Sequence, residues 1–378
     1  MSDLTLILLA AGSSSRFTMD VKKQWLRMGN TPLWQFVAQR LQKTELFCKI
    51  IITSSEDDLE FMQNYADFTF VKGADTRQNS LKNALAEVES EYVLVSDIAR
   101  ACISEPFLNK IIEQKGQADT IVPYLKVSDT IVYENTTIDR DKVKRVQTPQ
   151  LSRVSILKEA LNTKDEFTDE SSAVVAYGGT RKFVYGEEDA HKITYIDDLS
   201  RVPCLVPPSD DVLVGTGFDV HPFEQNSTMW LGGVEIESDF GFAAHSDGDV
   251  AIHALIDALL GAAGMGDIGM IFPDTSDEYK GIDSKELLRV VVTKIYNFGF
   301  VIVNADLTIA AQKPKISKYK LKMRKTLAEI LDIDSSRVNI KATTTEKLGF
   351  IGRGEGVGVM ANVNLKYFNW TNKDRVKN

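Results

Sequence analysis

Residues 4–17 read L-T-L-I-L-L-A-A-G-S-S-S-R-F, an apolar run that leads straight into a turn rich in glycine and serine. A short, unbroken apolar run is typical of a strand that is buried on both faces. The signals around it alternate between strand and helix: strands at Leu4–Ala10, Lys49–Thr53 and Tyr92–Ser96, and helices at Leu33–Gln42, Ser80–Val88 and Glu105–Glu113. This alternation predicts an α/β fold with a mostly parallel sheet that is covered on both faces.

The best boundary in the sequence lies at residues 201–212, R-V-P-C-L-V-P-P-S-D-D-V. Its three prolines fall within six residues and cannot continue a helix or a central strand. A strand signal follows at Val212–Val214, and we expect Gly215 and Gly217 to end that strand. We therefore predict two domains, residues 1–208 and 209–378.

The second half also alternates, with fewer and longer elements, so we expect a second α/β domain. Its signals are helices at Asp249–Ala263, Ser284–Phe298 and Lys318–Leu331, and strands at Phe300–Ile309, Val338–Ala342 and Val357–Leu365.

Composition excludes several classes of protein. The 378 residues include 44 Lys+Arg against 53 Asp+Glu, a net charge of −9, and 43% are hydrophobic. The apolar content argues against wholesale disorder, and the acidic balance argues against a general binder of nucleic acid or membrane surfaces. No apolar run approaches the roughly 18 residues of a membrane helix.

Other features of the sequence favour a cytoplasmic protein. The apolar stretch Leu4–Ala11 follows Asp3 and lacks a basic flank, so it is a poor signal peptide. The three cysteines, Cys48, Cys102 and Cys204, are far apart in the sequence, and we expect neither a disulfide framework nor a metal pair. That expectation favours a reducing compartment.

The turn at the end of the first strand is a candidate phosphate loop. Backbone N–H groups in such a turn can cradle phosphate oxygens, although an ordinary tight turn is the simpler alternative. Neither a Walker A motif nor the dinucleotide glycine spacing is present. Arg16 and Lys23 strengthen the case, because two cations beside the turn suit a triphosphate whose leaving group gains charge.

Further polar segments agree with a phosphate ligand. Asp97 and Arg100 follow a predicted strand, and ligands of open α/β sheets bind at the carboxyl ends of strands. Asp97 is a candidate ligand for Mg²⁺, which usually takes one or two carboxylates together with substrate phosphates. The remaining segments are Gly73–Ser80, Ile138–Arg140, Gln147–Gln150, Thr168–Glu170 and Lys192–Thr194.

With these motifs, residues 1–200 resemble the methylerythritol phosphate cytidylyltransferases, which have the Rossmann-like nucleotidyltransferase fold. That family joins CTP to 2-C-methyl-D-erythritol 4-phosphate and releases pyrophosphate. The resemblance implies that Arg16 and Lys23 stabilise the pentavalent α-phosphorus, and that Arg140 and Lys192 position the methylerythritol phosphate. It also implies a divalent cation, Mg²⁺ or Mn²⁺, and contacts to the nucleotide from Gly12, Ser80 and Thr148.

The sequence departs from this family near two of these residues. Lys22 stands where the family usually has proline, and residues 95–101 read V-S-D-I-A-R-A in place of V-H-D-A-A-R-P. The charged residues survive, so we expect the chemistry to be kept while the shape of the loop differs.

Three of the four histidines, His221, His245 and His253, lie within 33 residues. Asp219 and His221 are two apart and share a face of an extended segment. Asp249, His253, Asp257 and Gly261 recur every four residues and form a stripe on an apolar helix. Asp219, His221 and His253 supply three N/O ligands, the number found in a catalytic zinc site, and Asp257 is expected to orient His253. The alternative is an ordinary buried histidine.

A second phosphate-binding motif lies near the end of the sequence. Residues 343–346 are Thr-Thr-Thr-Glu, and Arg353 lies in the glycine-rich stretch 352–356. Such a run offers hydroxyl and N–H groups to phosphate and the Glu346 carboxylate to a divalent cation, and it adds little to a core.

With this second motif, residues 213–366 closely resemble 2-C-methyl-D-erythritol 2,4-cyclodiphosphate synthases. In that family the 2-phosphate of the diphosphocytidyl substrate attacks its β-phosphorus and expels CMP. The resemblance implies Zn²⁺ on Asp219, His221 and His253, Mg²⁺ or Mn²⁺ on Glu346, and transition-state stabilisation by His245 and Thr344. The residues with an implied role in substrate binding are Ser246, Asp267, Gly269, Phe272, Asp274, Ala311, Lys315, Thr343, Thr345, Phe350 and Arg353.

Together, the two resemblances predict a bifunctional enzyme of the methylerythritol phosphate route, whose two steps are separated by a kinase. They also imply a dimeric transferase and a trimeric cyclase with a shared active site, and a chain with both interfaces can close as a hexamer. Two alternatives stay open from the sequence. One is a sugar-nucleotide pyrophosphorylase fused to a metal-dependent phosphohydrolase, and the other is a zinc-dependent nucleotide sensor without turnover.

Overall fold

The computed structural model describes residues 3–243, 246–273 and 281–372. The chain forms two compact units, one of Met1–Pro208 with Trp370–Asn378, and one of Ser209–Asn369. The chain thus leaves the first unit after Pro208 and returns to it at Trp370, whose Nε1 donates to the Arg27 carbonyl at 2.8 Å. The limits 1–208 and 209–378 stay a prediction about domains.

The first unit alternates strands and helices over most of its length. Its described strands are β1 (Leu4–Leu9), β2 (Arg27–Met28), β3 (Thr31–Pro32), β4 (Lys49–Ser54), β5 (Thr69–Lys72), β6 (Tyr92–Asp97), β7 (Thr120–Lys126), β8 (Ile131–Tyr133), β9 (Thr136–Ile138), β10 (Lys144–Val146), β11 (Gln150–Arg153) and β12 (Arg181–Tyr185). Its described helices are α1 (Leu33–Gln42), α2 (Glu56–Tyr65), α3 (Arg77–Ala86), α4 (Glu105–Ile112), α5 (Val154–Leu161) and α6 (Glu170–Ala176).

One eight-stranded sheet organises the first unit, in the order β10-β7-β11-β6-β1-β4-β5, with β12 paired to β7. Strands β6, β1, β4 and β5 run parallel, while β10 and β11 pair antiparallel with their neighbours. The predicted α/β fold with a mostly parallel sheet is confirmed. Every residue of β1 is buried, as its apolar sequence requires. Leu9 pairs with Asp97, so β1 and β6 end side by side.

The second unit has longer strands and helices. Its described strands are β13 (Leu213–Gln225), β14 (Met229–Leu231), β15 (Val234–Ile236), β16 (Phe240–Phe242), β17 (Phe300–Ala310), β18 (Val338–Thr343) and β19 (Gly356–Tyr367). Its described helices are α7 (Val250–Ala263), α8 (Ile268–Ile271), α9 (Ser284–Asn297), α10 (Lys320–Leu331) and α11 (Gly349–Gly352). A five-stranded sheet runs in the order β16-β13-β19-β17-β18, and only β17 and β18 pair in parallel.

Strand β13 corrects one prediction, because it continues through Gly215 and Gly217 instead of ending there. A Cβ at Gly215 would lie 2.0 Å from the Ala258 carbonyl oxygen, and one at Gly217 would lie 2.0 Å from that of Ala254. The glycines are therefore needed where α7 packs directly on the strand, a close approach that only glycine permits.

The structure also corrects the expectation for the cysteines. Cys102 and Cys204 are joined in a disulfide, with their Cα atoms 5.6 Å apart, and Cys48 is free. The two sulfurs lie 102 residues apart in sequence, but the fold places the loop after β6 beside the turn that follows Val202. The cysteines therefore no longer support a reducing compartment.

Within the described ranges, the longest helices are α7 and α9, with 14 residues each. Within those ranges, no helix is both long and apolar enough to cross a bilayer.

Candidate active sites

A cavity of about 230 Å³ opens in the first unit at the ends of β1 and β6. Among its lining residues are five that were predicted from the sequence: Gly12, Arg16, Lys23, Asp97 and Lys192. The parallel pairing of β1 with β6 explains this meeting, because the loop after one strand and the last residue of the other emerge at the same edge.

Hydrogen bonds within the loop, and bonds to the carboxylate of Asp58 on α2, hold the candidate phosphate loop in place. Ser14 has a left-handed backbone (φ 58°), and its Oγ accepts from the Lys23 N–H at 3.0 Å. Gln24 joins this loop to Asp58, since its Nε2 donates to the Asp58 Oδ2 at 3.1 Å. Lys22 donates to the other oxygen of the buried Asp58 at 2.8 Å. The lysine that replaces the family's proline is therefore tied to the same carboxylate as the loop.

Lys23 lies among other cations inside the cavity. Its Nζ donates to the Ile193 carbonyl at 2.7 Å. Burial, followed by the positive charges of Lys192 and Arg16, lowers the pKa of Lys23 to about 8. This concentration of positive charge is costly for the protein alone and favourable for a polyphosphate, because an anion would relieve the repulsion.

Asp97 is paired on both of its oxygens. Its Oδ1 accepts from the Arg77 Nε at 3.3 Å, and its Oδ2 accepts from the Lys192 Nζ at 2.7 Å. Burial raises the pKa of Asp97, but the charges of Arg77 and Lys192 outweigh it and hold that pKa well below its ordinary value. Asp97 is thus an ionised carboxylate at the edge of the cavity, the form that binds a divalent cation.

Arg77 and Glu170 support Asp97, a role that was predicted for neither residue. The Arg77 Nη1 donates to the Glu170 Oε1 at 2.6 Å, and Glu170 is fully buried. Burial raises the pKa of Glu170, although the charge of Arg77 opposes it. Both residues lay in polar segments noted in the sequence, but the sequence contained no sign that these segments meet.

The other predicted residues of the transferase lie outside the cavity lining. Arg100 is buried and donates to the Thr148 Oγ1 at 2.9 Å and to the Ala190 carbonyl at 2.6 Å. Ser80 accepts from the Ala74 N–H at 2.9 Å and shapes the turn before α3. Arg140 is exposed beyond β9, where it donates to the Ser128 carbonyl at 2.6 Å. A single copy of the chain therefore does not bring Arg140 to the cavity.

The second unit gathers Asp219, His221 and His253, as the sequence predicted. One ligand atom from each lies within 4.8 Å of the others, and among the residues the structure describes no other such group was found. The Asp219 Oδ2 lies 3.1 Å from the His221 Nε2 and 3.5 Å from the His253 Nδ1. Asp219 and His221 share the face of β13 that α7 covers, and His253 projects from α7. One carboxylate and two imidazoles fit zinc.

Charge at this cluster suits a cation. Burial raises the pKa of Asp219, but hydrogen bonds with His221 and His253 outweigh it and hold that pKa well below its ordinary value. The ionised carboxylate and the two ring nitrogens therefore form a half-buried set of donors that point at one place.

Each histidine of the cluster also has a partner for its other ring nitrogen. The His221 Nδ1 lies 3.0 Å from the Gly248 carbonyl oxygen. The His253 Nε2 lies 3.0 Å from the Ser284 Oγ and 3.2 Å from the Ser246 Oγ. The expectation that Asp257 orients His253 is wrong, because the Asp257 Oδ1 accepts instead from the Ile268 N–H at 2.8 Å, at the start of α8.

The Thr-Thr-Thr-Glu segment follows β18 at the surface. The Thr344 Oγ1 donates to the Glu346 Oε1 at 2.8 Å, and Glu346 is exposed. Glu346 is not part of the Asp219 cluster. Arg353 is exposed and pairs with Glu355 at 2.7 and 3.0 Å. Thr343, Phe350 and Lys315 are also exposed, Thr345 is half-buried, and Ala311 is buried.

The remaining predicted residues lie around α8 or outside the described ranges. Asp267 caps α8 by accepting from the Met270 N–H at 3.0 Å, Gly269 lies within that helix, and Phe272 is buried after it. His245 and Asp274 lie outside the described residues.

Comparison with known families assigns each unit separately. Residues 4–206 match the family described as 2-C-methyl-D-erythritol 4-phosphate cytidylyltransferase, and residues 212–366 match the YgbB family.

Relatives of known name span the whole chain. It is 68% identical over 368 residues to the bifunctional enzyme IspD/IspF of Sulfurimonas denitrificans, covering 97% of this chain and 95% of that one. It is 54% identical over 371 residues to the enzyme of the same name from Aliarcobacter butzleri, covering 98% and 99%. The solved structure of the bifunctional IspDF from Campylobacter jejuni superposes with a TM-score of 0.90 at 47% identity, covering 98% of this chain and 100% of that one.

Proposed function

This chain belongs to the family of bifunctional IspD/IspF enzymes, and on that premise we propose how its residues carry the two activities. The protein is a cytidylyltransferase and a cyclodiphosphate synthase of isoprenoid biosynthesis. The alternatives of a pyrophosphorylase fused to a phosphohydrolase, and of a nucleotide sensor, find no support among these relatives.

The transferase reaction is assigned to the cavity at the ends of β1 and β6. A phosphate oxygen of methylerythritol phosphate attacks the α-phosphorus of CTP, the bond to the bridging oxygen breaks, and pyrophosphate leaves with the electron pair. Arg16 and Lys23 neutralise the charge that grows on the α-phosphoryl and pyrophosphate oxygens. Lys192 and Arg140 hold the attacking phosphate, and Gly12 offers its backbone to the nucleotide phosphates. The convergence of three cations on one cavity supports this assignment.

Asp97 is the residue that would hold Mg²⁺ or Mn²⁺ in the transferase. Such an ion would supply positive charge that offsets the charge of the substrate phosphates. The supporting observation is an ionised, buried carboxylate at the cavity edge, paired with Lys192. Because Lys192 is a flexible chain with a point charge, it can turn from Asp97 to the substrate phosphate when the anion enters.

The cyclase reaction is assigned to the Asp219 cluster and the Thr-Thr-Thr-Glu segment. Asp219, His221 and His253 would hold Zn²⁺, and Glu346 would hold Mg²⁺ or Mn²⁺. Bound there, these ions would orient the diphosphate and reduce the repulsion that the attacking phosphate meets. Thr344 and His245 would donate hydrogen bonds as negative charge moves to the departing CMP. The donor chemistry of the cluster supports the zinc assignment.

The cyclase is proposed to assemble through the open face of β13 and β19. Val214, Phe218 and Val220 lie on the face of β13 away from α7, and Phe218 pairs with Met360 across the strands. These side chains are 40–65% exposed, which is unusual for four apolar neighbours. The exposed residues of the 343–353 segment would then meet the cluster of a neighbouring copy.

The transferase is proposed to dimerise, since Arg140 lies outside the cavity of its own copy and is free to reach that of another. A chain with a two-fold and a three-fold interface closes as a hexamer. A cytoplasmic location is also proposed, because both reactions handle cytidine nucleotides.

The observation that carries the two-site proposal is that each compact unit has its own charged cluster. His253→Ala should remove bound zinc and cyclase turnover while cytidylyl transfer continues at the wild-type rate.

Arg16→Ala should lower cytidylyl transfer by about 100-fold or more and leave zinc content and cyclase turnover intact, since one electrostatic contact to a transition state is worth that much. Metal analysis and separate assays with CTP and with the diphosphocytidyl 2-phosphate substrate measure these outcomes. Loss of both activities in either variant would contradict two independent sites.

A further inference from the structure

The two ring nitrogens of His253 face different surroundings. Nδ1 lies on the side of Asp219, 3.5 Å from its Oδ2, where the metal would bind. Nε2 lies 3.0 Å from the hydroxyl of Ser284, the first residue of α9. Ser284 is fully buried, and its hydroxyl also bonds the Oδ1 of Asp247.

The chemistry of these groups sets the direction of each hydrogen bond. The Ser284 hydroxyl donates to the Asp247 Oδ1, and a hydroxyl has a single proton to give. The Ser284 oxygen, 3.0 Å away, can then only accept from the His253 Nε2, which places the ring proton on that nitrogen; the Ser246 Oγ, 3.2 Å away, is the second group beside it. With its ring proton on Nε2, neutral His253 would offer the lone pair of Nδ1 to a metal, which would take the place of the contact between Nδ1 and Asp219.

His221 reaches the same result through the main chain. Its Nδ1 faces the carbonyl oxygen of Gly248 at 3.0 Å, an acceptor only, so neutral His221 would offer the lone pair of Nε2 to a metal beside Asp219. A carbonyl cannot be removed by substitution, whereas the serine and the aspartate beside His253 can. His253 is therefore the ligand at which this form of control can be tested.

We propose that Ser284 and Asp247 are positioning residues that hold the metal-binding tautomer of His253, an inference that rests on the proposed zinc site. Asp247 polarises the Ser284 hydroxyl, and the hydroxyl fixes the plane and the protonation of the imidazole. Neither residue touches the metal position, so both act through His253. Partners of this kind commonly change metal affinity by 10–100-fold when they are removed.

Ser284 lies at the start of α9, beside the loop that carries Asp247. Asp283 caps α9 by accepting from the Lys285 N–H at 2.9 Å, and Ser284 is the first residue of the helix, with a buried side chain. The Asp247 N–H donates to the Ile282 carbonyl at 3.2 Å, so the loop that carries Asp247 is attached to the chain just before the same helix. The first turn of α9 thus places the Ser284 hydroxyl within hydrogen-bond distance of both the Asp247 carboxylate and the His253 imidazole.

The test measures zinc affinity of the full-length chain by competition with a chromophoric chelator. Ser284→Ala should weaken zinc binding 10–100-fold, because Nε2 loses its nearer partner, the one polarised by Asp247, and the ring loses its orientation. Asp247→Ala should weaken it to a similar extent. Asp247→Asn keeps an oxygen that accepts from Ser284 but removes the charge, so a smaller loss is expected.

Two controls separate this role from a general loss of structure. Asp283→Ala removes the cap of the same helix turn without touching His253, and zinc affinity should stay at the wild-type value. Cytidylyl transfer reports on the first unit of the same chain and should be unchanged in every variant. Ser284→Ala with wild-type zinc affinity, or Asp283→Ala with an equal loss, would overturn the proposal.

The zinc affinities of Ser284→Ala and His253→Ala together separate the positioning role of Ser284 from the zinc site itself. If His253→Ala removes zinc and Ser284→Ala does not weaken its binding, only the positioning role is wrong. If His253→Ala binds zinc as the wild type does, the proposed metal site itself is wrong.

Discussion

Lys23 illustrates at the scale of one residue how the fold changes the chemistry of a side chain. Its ammonium group is buried beside Lys192 and Arg16, and burial together with their charges lowers its pKa to about 8. Because this pKa is lower in the folded chain than in the unfolded one, the charged lysine opposes folding. That cost is fully present below pH about 8 and fades as the pH rises toward the ordinary lysine value of 10.5.

Transferase activity should have the opposite dependence on pH, because the proposed role of Lys23 requires its positive charge. We expect kcat/KM for cytidylyl transfer to fall about tenfold per pH unit above pH about 8. Bound triphosphate adds negative charge and should move the corresponding limb of kcat to higher pH. The measurement is a pH profile of both parameters between pH 6 and roughly 10.

Lys23→Arg supplies the comparison, since an arginine stays charged across this range. Its kcat/KM profile should lose the alkaline limb even if its rate is lower. An unchanged alkaline limb in Lys23→Arg would show that another group titrates. The cyclase reaction of the same chain should lack this dependence on Lys23.

At the scale of elements, the packing of α7 on β13 holds the metal cluster together. Asp219 and His221 come from the strand and His253 from the helix, so their meeting depends on how closely the two elements approach. Gly215 and Gly217 allow that approach, because their missing side chains leave room for the carbonyls of α7. The buried Asp249 holds the start of α7 by accepting from the N–H groups of Gly232 and Gly233 at 2.8 and 2.6 Å.

Gly217→Ala should therefore damage the second unit. The added Cβ would lie 2.0 Å from the Ala254 carbonyl oxygen, so the helix must shift away from the strand. We expect a loss of roughly 1–3 kcal/mol of stability, the usual cost of overpacking, with weaker zinc binding. Calorimetry and metal analysis measure these effects, and transferase activity should remain.

Gly261→Ala on the same helix is the matched control, because among the described residues no atom outside its chain neighbours and the backbone of α7 lies within 4 Å of a Cβ at that position. Alanine favours a helix over glycine by up to about 1 kcal/mol, so this variant should be as stable as the wild type or more so. Equal behaviour of the two variants would argue against close packing as the reason for Gly217.

At the scale of the whole molecule, each proposed site includes a residue that lies outside the site's own cluster in a single copy. Arg140 and Glu346 are exposed and away from the clusters to which the resemblances assign them. Val214, Phe218, Val220 and Met360 form an exposed apolar face on β13 and β19. Active sites shared between copies, as the resemblance implies for the cyclase, would account for the positions of Arg140 and Glu346 and for the exposed apolar face.

A charge placed on that face should break the proposed cyclase assembly. Met360→Lys should lower the mass measured by light scattering and reduce cyclase turnover, because an unpaired lysine in an apolar interface is costly. Val290→Lys is the control, since Val290 is 49% exposed on α9, outside this face. A wild-type mass for Met360→Lys, or an equal change in Val290→Lys, would contradict assembly through β13 and β19.

Local patterns in the sequence were sufficient for much of the fold. The helix predicted at Leu33–Gln42 is confirmed, and β1 begins at Leu4 as predicted, because apolar period and turn residues act within a few positions. The Asp219, His221 and His253 cluster was also found, since a rare residue type recurred in a pattern that local geometry interprets. The family followed from the same short motifs.

What only the tertiary structure decided depends on contacts between distant parts of the chain. The disulfide of Cys102 with Cys204, the support of Asp97 by Arg77 and Glu170, and the pairing of His253 with Ser284 in place of Asp257 each join segments far apart in sequence. The hydrophobic period of the sequence does not predict such contacts, because they depend on the order of strands and on how closely a helix can approach them. The sequence by itself therefore determined the family and which residues are candidates for the chemistry, and the packing of α7, α9 and the two sheets decided which side chains hold those candidates in place.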